Sequence, residues 1–357
     1  MSFIDQFQLT VPLIQAPMAG ISTPLLAASV SEAGGLGSIG VGATDAAGAR
    51  AMIQELRSHT ARAFNVNLFV HCRAKADPGR EAAWLASLAP VFAEFDAKPP
   101  TTLRTIYKSF ADDPDMLAML LEVAPPVVSF HFGLPSADAI SALHARGVFL
   151  MATATSLEEA RAIKAAGIDA IVAQGIEAGG HRGTFIGSYQ DSLIGTLALV
   201  PQIVDAVSIP VIAAGGIMDA RGIVACRALG AQAVQLGTAF LGCPETGIPD
   251  VWRQTLLASQ AGQTTVTTAM SGKPARGIRN RYITEVENLN EPLLPYPLQY
   301  AVSETLRKQA TQTGNPEFMA MWSGQGVGLI NPSSANELMQ ELITDSAELR
   351  AKLAIAD

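Results

Sequence analysis

The chain has 357 residues, of which 49% are hydrophobic and 16% are charged, so it is long enough for one large core or two smaller ones. Its 24 lysines and arginines against 32 aspartates and glutamates give a formal net charge of −8. That balance excludes a broad nucleic-acid-binding surface and confines any anion site to a local feature. Abundant Ala and Gly, with short runs of Val, Ile and Leu, favour helices packed on a parallel sheet.

The three cysteines, Cys72, Cys226 and Cys243, are an odd number without a C-x-x-C or zinc spacing. This usage is typical of a reduced, cytoplasmic protein. The first residues lack a basic segment followed by an apolar one, and no uninterrupted apolar stretch reaches the roughly 18 residues that a membrane span needs. We therefore expect neither secretion nor membrane insertion.

Apolar runs typical of strands alternate with Ala-rich amphipathic segments from the N-terminus onward. The eight predicted strands are residues 13–17, 36–39, 64–68, 127–131, 148–152, 170–174, 210–214 and 233–237. The predicted helices between them include residues 24–33, 156–166, 195–207 and 219–229. Eight strand–helix repeats predict a (β/α)8 TIM barrel. A doubly wound open sheet is the alternative, but no G-x-G-x-x-G with a later acidic residue follows the first strand.

Two segments are too long for a minimal barrel. Residues 71–126 hold about twice what one crossover helix needs. After the last predicted strand, residues 242–311 contain several prolines together with a helical stretch at 251–261. We predict a barrel formed by residues 1–241 and 312–357, with residues 242–311 as an inserted, mainly α-helical lid domain over the substrate.

The ligand site of such a barrel lies at the carboxyl ends of its strands, where polar side chains and glycines converge in this chain. The most informative segment is residues 174–183, QGIEAGGHRG, which begins at the end of the sixth predicted strand. Its four glycines let the backbone approach a flat or phosphorylated ligand, and His181 can carry a proton near neutral pH. The alternative is a tight turn with a surface histidine.

Glycine turns also follow the seventh and eighth predicted strands, at residues 214–217 (AGGI) and 237–238 (GT). Two such turns on adjacent strands, one of them opening a helix whose dipole favours anions, are typical of a phosphate site; tight βα turns are the alternative. His131 ends the fourth strand and should face the same cavity as His181. Neither histidine has metal-ligand spacing or a carboxylate cluster beside it, so we expect acid–base or anion-binding chemistry and no metal.

Together these motifs resemble the nitronate monooxygenases, formerly called 2-nitropropane dioxygenases, and specifically their bacterial and fungal class I group. The glycine–histidine loop and the phosphate turns are shared with related flavoenzymes and indicate only the superfamily. The first strand and the last strand carry further similarity, in residues 15–20 (QAPMAG) and 235–240 (QLGTAF). The motifs that indicate the class are residues 107–109 (YKS), 129–133 (SFHFG), 295–297 (PYP) and 322–325 (WSGQ).

The resemblance implies an FMN-dependent enzyme that oxidises propionate 3-nitronate and other alkyl nitronates with O2, without a reduced nicotinamide. The implied products are the aldehyde or oxo acid and nitrite or nitrate, formed through a flavin semiquinone and a substrate radical that O2 traps. The flavin semiquinone and the substrate radical need anion stabilisation and orientation more than a strong nucleophile. The implied partners are a small anionic nitro compound and O2, with no nucleic acid or membrane, in a monomer or homodimer.

By matching positions, the resemblance implies that His181 is the catalytic histidine, which holds the nitro group or removes the α-proton of a nitroalkane. The implied FMN contacts are Pro17, Met18, Ala19, Asn67, Gln174, Gly179, Gly180, Gly215, Gly216, Gln235, Leu236, Gly237 and Thr238. The implied substrate-binding residues are His131, Tyr107, Tyr296 and Tyr300. The last two tyrosines lie four residues apart, so one packed helix face is the alternative for them.

One stretch departs from the family pattern, and two other functions share most of the motifs. Residues 67–74 (NLFVHCRA) lack the proline expected after the histidine, which leaves the role of His71 open. A reductase of the same superfamily, using NAD(P)H to reduce a quinone or an enoyl thioester through FMN, is one alternative. A barrel that binds flavin without turnover is the other. A nucleotide dehydrogenase of the inosine-phosphate type needs a cysteine in the loop after the sixth strand, where this chain has none.

Overall fold

The centre of the molecule is a closed parallel barrel. The strands of the computed structural model are β1 (Leu13–Gln15), β2 (Gly37–Gly40), β3 (Phe64–Phe69), β4 (Val127–His131), β5 (Phe149–Ala154), β6 (Ala170–Gln174), β7 (Gly180–His181), β8 (Val211–Ala214), β9 (Ala233–Leu236), β10 (Thr264–Thr267) and β11 (Ala275–Ile278). Eight of them pair in the order β1-β9-β8-β6-β5-β4-β3-β2, and a parallel bridge between Ile14 and Leu36 joins the two ends. The predicted (β/α)8 barrel is thereby confirmed.

The structure describes residues 3–95 and 97–355, so residues 1–2, 96 and 356–357 of the predicted barrel lie outside the described residues. The helices are α1 (Phe3–Gln6), α2 (Pro24–Glu32), α3 (Ala46–His59), α4 (Pro78–Ser87), α5 (Ala89–Ala93), α6 (Pro114–Val123), α7 (Ala137–Ala145), α8 (Leu157–Ala165), α9 (Thr196–Ala206), α10 (Ala220–Ala228), α11 (Asp250–Leu257), α12 (Arg281–Glu287), α13 (Leu298–Val302), α14 (Glu304–Thr313) and α15 (Ala335–Ile355). Within these ranges no helix combines the length and apolar composition that crossing a membrane requires.

Strand residues alternate between two apolar layers, as the two-residue period of β-structure requires. In β1, Leu13 belongs to the layer between strands and helices, whereas Ile14 belongs to the core inside the barrel. Phe3 joins that inner core and, with Phe7 and Phe149, closes the amino-terminal end of the barrel through ring centroids 5.2 to 5.6 Å apart. This packing leaves the carboxyl ends of the strands as the place for a ligand.

The two long segments predicted from the sequence pack against each other. Trp84 and Phe92, from the connection between β3 and α6, share a hydrophobic cluster with Tyr282 of α12 and with Phe318. Each of these four side chains is at most 1% exposed. The cluster therefore contains residues from inside and from outside the predicted lid, residues 242–311. The assignment of that segment as a separate domain stays a prediction.

A small antiparallel sheet joins the second segment to the barrel. β10 pairs with β11, and β11 pairs with β7, so that Ala275 lies opposite His181. The backbone N–H of Arg182 also donates to the carbonyl oxygen of Pro274 at 2.8 Å. The glycine–histidine loop is thus held on one edge by a strand that lies more than ninety positions further along the chain.

Replacing Leu306 by alanine should destabilise the packing of the two long segments. Leu306 lies in α14 and is 0% exposed within the shared cluster, and truncating a buried leucine costs roughly 2 to 5 kcal/mol of the free energy of unfolding. Chemical denaturation of the variant measures the loss. The control Leu197→Ala removes a side chain of α9 that is 71% exposed and should cost less than about 0.5 kcal/mol. Equal losses would contradict this packing.

Candidate active site

A cleft at the carboxyl ends of the barrel strands collects most of the predicted site residues. It encloses about 1380 Å³ that protein atoms do not fill, part of it continuous with solvent. The predicted residues that line it are Pro17, Met18, Ala19, Asn67, Tyr107, His131, Gln174, Gly179, Gly180, His181, Gly215, Gly216, Gln235, Gly237, Thr238, Tyr296 and Tyr300. Leu236 is the exception, because its side chain is fully buried between strands and helices. The side chain of Leu236 packs in that layer, and a cofactor contact through its backbone stays a prediction.

The side-chain amide of Gln174 holds the loop that follows β6. Its Nε2 donates to the carbonyl oxygen of His181 at 3.0 Å, and its Oε1 accepts the backbone N–H of Gly183 at 2.8 Å. Gln174 is buried, and a buried amide satisfied at both ends specifies one geometry because any other leaves polar atoms unpaired. These two hydrogen bonds hold residues 175–183 back over the end of β6, so that His181 faces the cleft.

The guanidinium of Arg182 supports the same loop from inside the protein, where it is 1% exposed. Nη1 donates to the carbonyl oxygens of Gln174 and Gly175 at 3.2 and 2.6 Å, and Nη2 donates to that of Ser192 at 2.9 Å. Burial lowers the pKa of Arg182 to about 10, while two nearby glutamates oppose the change. The group therefore stays charged at neutral pH, and its three carbonyl partners fix the main chain beside His181.

His131 lines the cleft, but protein groups contact both of its ring nitrogens. Nε2 lies 3.1 Å from the carbonyl oxygen of His181, and Nδ1 lies 3.0 Å from Oγ1 of Thr153. Because a carbonyl oxygen only accepts, these partners assign the hydrogen to Nε2, and Nδ1 accepts from the threonine hydroxyl. The ring thus supports the His181 loop, and the predicted contact between His131 and substrate oxygens stays a prediction.

His181 lies in the cleft beside Ser271 and Trp322. Its Nε2 is 2.8 Å from the hydroxyl oxygen of Ser271, which itself donates to the carbonyl oxygen of Lys273 at 3.0 Å. With the serine hydrogen committed to that carbonyl, Nε2 of His181 donates to Ser271, and Nδ1 keeps its lone pair. Nδ1 can therefore accept a proton or a hydrogen bond from a ligand.

Both cleft histidines are held in the neutral state. Burial lowers the pKa of His181 to about 3, and the neighbouring His131 and Lys273 act in the same direction. Burial likewise lowers the pKa of His131 to about 4, although its bond to the His181 carbonyl opposes the shift. Such imidazoles are uncharged throughout the physiological range. Across residues 3–95 and 97–355, no three His, Cys, Asp or Glu side chains converge as metal ligands.

The turns after β8 and β9 supply main-chain donors for a phosphate. Gly215 and Gly216 have φ angles of +117° and +72°, which residues with a Cβ rarely adopt, so this turn requires glycine. The first turn of α10 contributes less than the sequence suggests, because the carboxylate of Asp219 accepts two of its N–H groups at 2.9 and 3.4 Å. A phosphate site here depends on loop N–H groups near Gly216 and at residues 237–238, not on the end of the helix.

Small residues and unpaired amides line the remaining wall of the cleft. Residues 16–19 follow β1 at its edge. Nδ2 of Asn67 donates to Oγ of Ser129 at 2.9 Å. Oδ1 of Asn67 and the whole amide of Gln235 have no hydrogen-bond partner within the described part of the chain. Such amides, together with the loop N–H groups, fit a flavin, because both its ring edge and its phosphate need hydrogen-bond partners.

Three tyrosines form one wall of the cleft, and of these Tyr296 faces the ring of His181. The ring centroid of Tyr107 lies 6.1 Å from that of Tyr296 and 5.9 Å from that of Tyr300. Tyr296 precedes α13 while Tyr300 lies within it, and both line the cleft, so the alternative of one packed helix face is wrong. The Tyr296 hydroxyl is buried with no partner among the described residues. Burial raises the pKa of Tyr296 and of Tyr107, so both stay protonated donors.

His71, whose role the sequence left open, packs against this wall on the side away from the cleft. Its ring packs edge-on against Tyr296 and Phe132, with centroids 4.9 and 6.5 Å apart. It is buried, does not line the cleft, and its pKa is lowered to about 4 by that burial. The structure therefore places His71 as a support for Tyr296.

A family model described as nitronate monooxygenase matches residues 2–345 of the chain. The chain belongs to the nitronate monooxygenase family. A curated nitronate monooxygenase of Pseudomonas aeruginosa is 51% identical over 94% of this chain and 95% of its own length, and one of Paraburkholderia phytofirmans is 50% identical over 93% and 91%. The solved structure of a nitroalkane oxidase from Streptomyces ansochromogenes is 40% identical, covers 99% of this chain and 100% of its own, and has a TM-score of 0.88.

Membership in the nitronate monooxygenase family confirms that the chain is an enzyme, a flavin-dependent oxidoreductase. The similarity to the solved Streptomyces structure, which covers 99% of this chain, agrees with the barrel fold.

Several residues of the site were missed by sequence reasoning. Ser271 and Lys273 carry no local signal, because only the pairing of β7 with β11 brings them to His181. Trp322, whose ring centroid is 5.2 Å from that of His181, lies in a motif that indicated the nitronate monooxygenases but had no assigned role. In the same motif, Gly324 packs so closely on the loop that a Cβ on Gly179 would lie 2.5 Å from its nitrogen.

The stability of the protein should fall as the pH is lowered through the ordinary histidine range. His71, His131 and His181 have native pKa values of about 4, 4 and 3, below the unfolded value of about 6.5. Between these values the unfolded chain binds protons that the folded chain does not, so the free energy of unfolding rises with pH. Denaturation at about pH 5 and about pH 7 measures the slope.

The variant His71→Phe removes one of these three groups and should flatten the slope by about a third. Phenylalanine keeps the ring packing against Tyr296, which separates the titration from a loss of contacts. The control Gln54→Ala changes an exposed residue of α3 that has no titratable group and should leave the slope as it is. An unchanged slope in the His71 variant would contradict the neutral, buried state of this ring.

Proposed function

We propose that the chain is an FMN-dependent nitronate monooxygenase that oxidises propionate 3-nitronate and other alkyl nitronates with O2. The observation that supports this most is a neutral His181 facing the unpartnered hydroxyl of Tyr296 across one cleft, with ring centroids 5.6 Å apart. The Tyr296 hydroxyl offers a hydrogen bond to an oxygen of a small planar anion, and the imidazole beside it carries no charge. The curated relatives at 51% and 50% identity are named nitronate monooxygenase, which supports the same substrate class.

FMN, when bound, supplies the redox and O2 chemistry that the side chains of the cleft do not have. Its single phosphate would be held by the loop N–H groups of residues 215–216 and 237–238. Its ring would contact residues 17–19 and the amides of Asn67 and Gln235. The one-electron route and the aldehyde or oxo acid and nitrite or nitrate products form part of this proposal.

His181 favours a nitronate over a neutral nitroalkane as the substrate. An imidazole with a pKa of about 3 is a weak base and is poorly suited to removing a proton from carbon. A nitronate is already deprotonated, so it needs orientation and neutral donors instead of a base. The Streptomyces relative is a nitroalkane oxidase, and the burial of His181 is our reason for assigning this chain to nitronates.

The tyrosine wall would bind the nitronate oxygens. Tyr107 and Tyr296 stay protonated because burial raises the pKa of both, and a phenol donates a short, strong hydrogen bond to an anion. Tyr300 completes the wall beside Tyr107. Hydrogen bonds to a charged acceptor gain strength where water is excluded, so these donors would hold the substrate against the flavin.

The variant Tyr296→Phe should weaken nitronate binding without disturbing the fold. The hydroxyl has no partner in the described structure, so its removal leaves no protein group unsatisfied. A hydrogen bond to a charged group contributes about 1.5 to 3 kcal/mol, which predicts a KM for propionate 3-nitronate raised roughly 10- to 100-fold. O2 uptake at varied substrate concentration measures KM.

The control for this variant is Tyr282→Phe. Tyr282 is 1% exposed in the hydrophobic cluster that includes α12 and does not line the cleft. Removing its hydroxyl should therefore leave KM unchanged. A normal KM in the Tyr296 variant would show that its hydroxyl does not bind substrate.

The variant His181→Asn should lower kcat/KM for propionate 3-nitronate roughly 100-fold or more, because an oriented, uncharged ring is lost beside the reacting group. The loop itself should survive, because Gln174 and His131 hold it through the main-chain carbonyl and not through the imidazole. The visible flavin spectrum of the purified variant checks that the cofactor is still bound. If the variant turned over the nitronate like the parent, the role assigned to His181 would be wrong.

A further inference from the structure

A second cavity adjoins the cleft and shares Tyr296 with it. It encloses about 1580 Å³, part of it open solvent, between the loop after β3 and the turn at Lys273. Four cationic side chains line it: Arg73, Lys75, Arg80 and Lys273. The chain as a whole has a formal net charge of −8, so a cavity lined by four cations has the opposite sign of charge to the rest of the protein.

These four cations lack counter-ions in the described structure. Among residues 3–95 and 97–355, none of the four has a carboxylate within ion-pair distance, whereas other surface cations pair repeatedly. Arg80 donates to the carbonyl oxygen of Leu293, and Nζ of Lys273 lies 4.8 Å from the centre of the Phe132 ring. Burial lowers the pKa of Lys273, which is the expected response of a cation without a close anion.

Two carboxylates at the rim are engaged with the backbone. Oδ1 of Asp77 accepts the N–H of Arg80 at 3.1 Å, and Oε1 of Glu81 accepts the N–H of Asp77 at 3.0 Å. Both therefore cap the first turn of α4, where a helix N-terminus favours negative charge. Four cations against two capping carboxylates leave the cavity net positive.

We propose that this cavity binds a small oxyanion with two negative charges, such as a dicarboxylate or a phosphate, at a site separate from the flavin cleft. Guanidinium groups match the oxygens of either anion in pairs, and the ammonium of Lys273 supplies a point charge deeper in the cavity. The bound anion would lie on the other side of Tyr296 from the nitronate. The proposal does not depend on the nitronate reaction, because its evidence is the charge and shape of this cavity alone.

Cys72 offers a direct probe, because it is exposed and lines the same cavity. Cys226 and Cys243 are buried, and burial raises their pKa to about 11 and about 12, so both should be inert. A disulfide reagent reacts when the Cys72 thiolate attacks one of its sulfurs, which forms a mixed disulfide and releases the other half of the reagent as a thiolate or thione whose absorbance is measured. The variant Cys72→Ser should release no absorbing product and so identifies the reacting thiol.

The experiment compares two reagents on the flavin-loaded protein, the dianion 5,5′-dithiobis(2-nitrobenzoate) and the neutral 4,4′-dithiodipyridine. The ratio of their rates reports the charge at the cavity without any dependence on turnover. Succinate and inorganic phosphate, added in separate arms, should slow the dianion reaction saturably and more than sodium chloride of the same ionic strength. The anion that protects at the lower concentration identifies the class of ligand.

The double variant Arg73→Gln and Lys75→Gln should lower the ratio of rates about fivefold and abolish the protection. Lys164→Gln, which removes an exposed lysine of α8 away from the cavity, is the matched control and should leave both unchanged. Protection by neither anion beyond the sodium chloride reference, or a double variant that behaves like the parent, would overturn the proposal.

Discussion

The site depends on one shared hydrogen-bond acceptor, the carbonyl oxygen of His181. Nε2 of Gln174 at the end of β6 and Nε2 of His131 at the end of β4 both donate to it. The loop can accept both hydrogen bonds only in one conformation. Strand β11 pairs with the other edge of the loop. The imidazole of His181 therefore has a fixed position relative to the barrel. Placing a reactive group on rigid elements in this way is what oriented chemistry on a small anion requires.

Charge is distributed so that the cleft itself stays nearly neutral. Burial keeps His131 and His181 uncharged and the facing tyrosines protonated, while the cationic side chains lie at the neighbouring cavity beyond Tyr296. An anion in the cleft would then be stabilised by oriented dipoles in a water-poor site, where hydrogen bonds act strongly. The acidic surface of the molecule does not prevent this, because exposed charges are screened over about 10 Å in ordinary salt.

The barrel could be predicted because its signal repeats: eight short apolar runs, most of them followed by an Ala-rich amphipathic segment. The predicted strand bounds differ from the observed ones by at most two residues at either end. The glycine–histidine loop could be found for a similar reason, since its residues are contiguous. Ser271 and Lys273 could not, because a strand pairing distant in sequence positions them. The role of His131 depends on which groups its nitrogens meet, and a pattern of residue types does not contain that information.

We propose that this barrel oxidises a nitronate through its flavin without a reduced nicotinamide. Anaerobic mixing of the flavin-loaded protein with propionate 3-nitronate, and separately with NADH, followed by the visible flavin spectrum, tests it most directly. We predict a rapid change of the flavin absorbance with the nitronate and none with NADH. Rapid bleaching by NADH, together with an unchanged spectrum in the presence of the nitronate, would contradict the claim and identify a reductase.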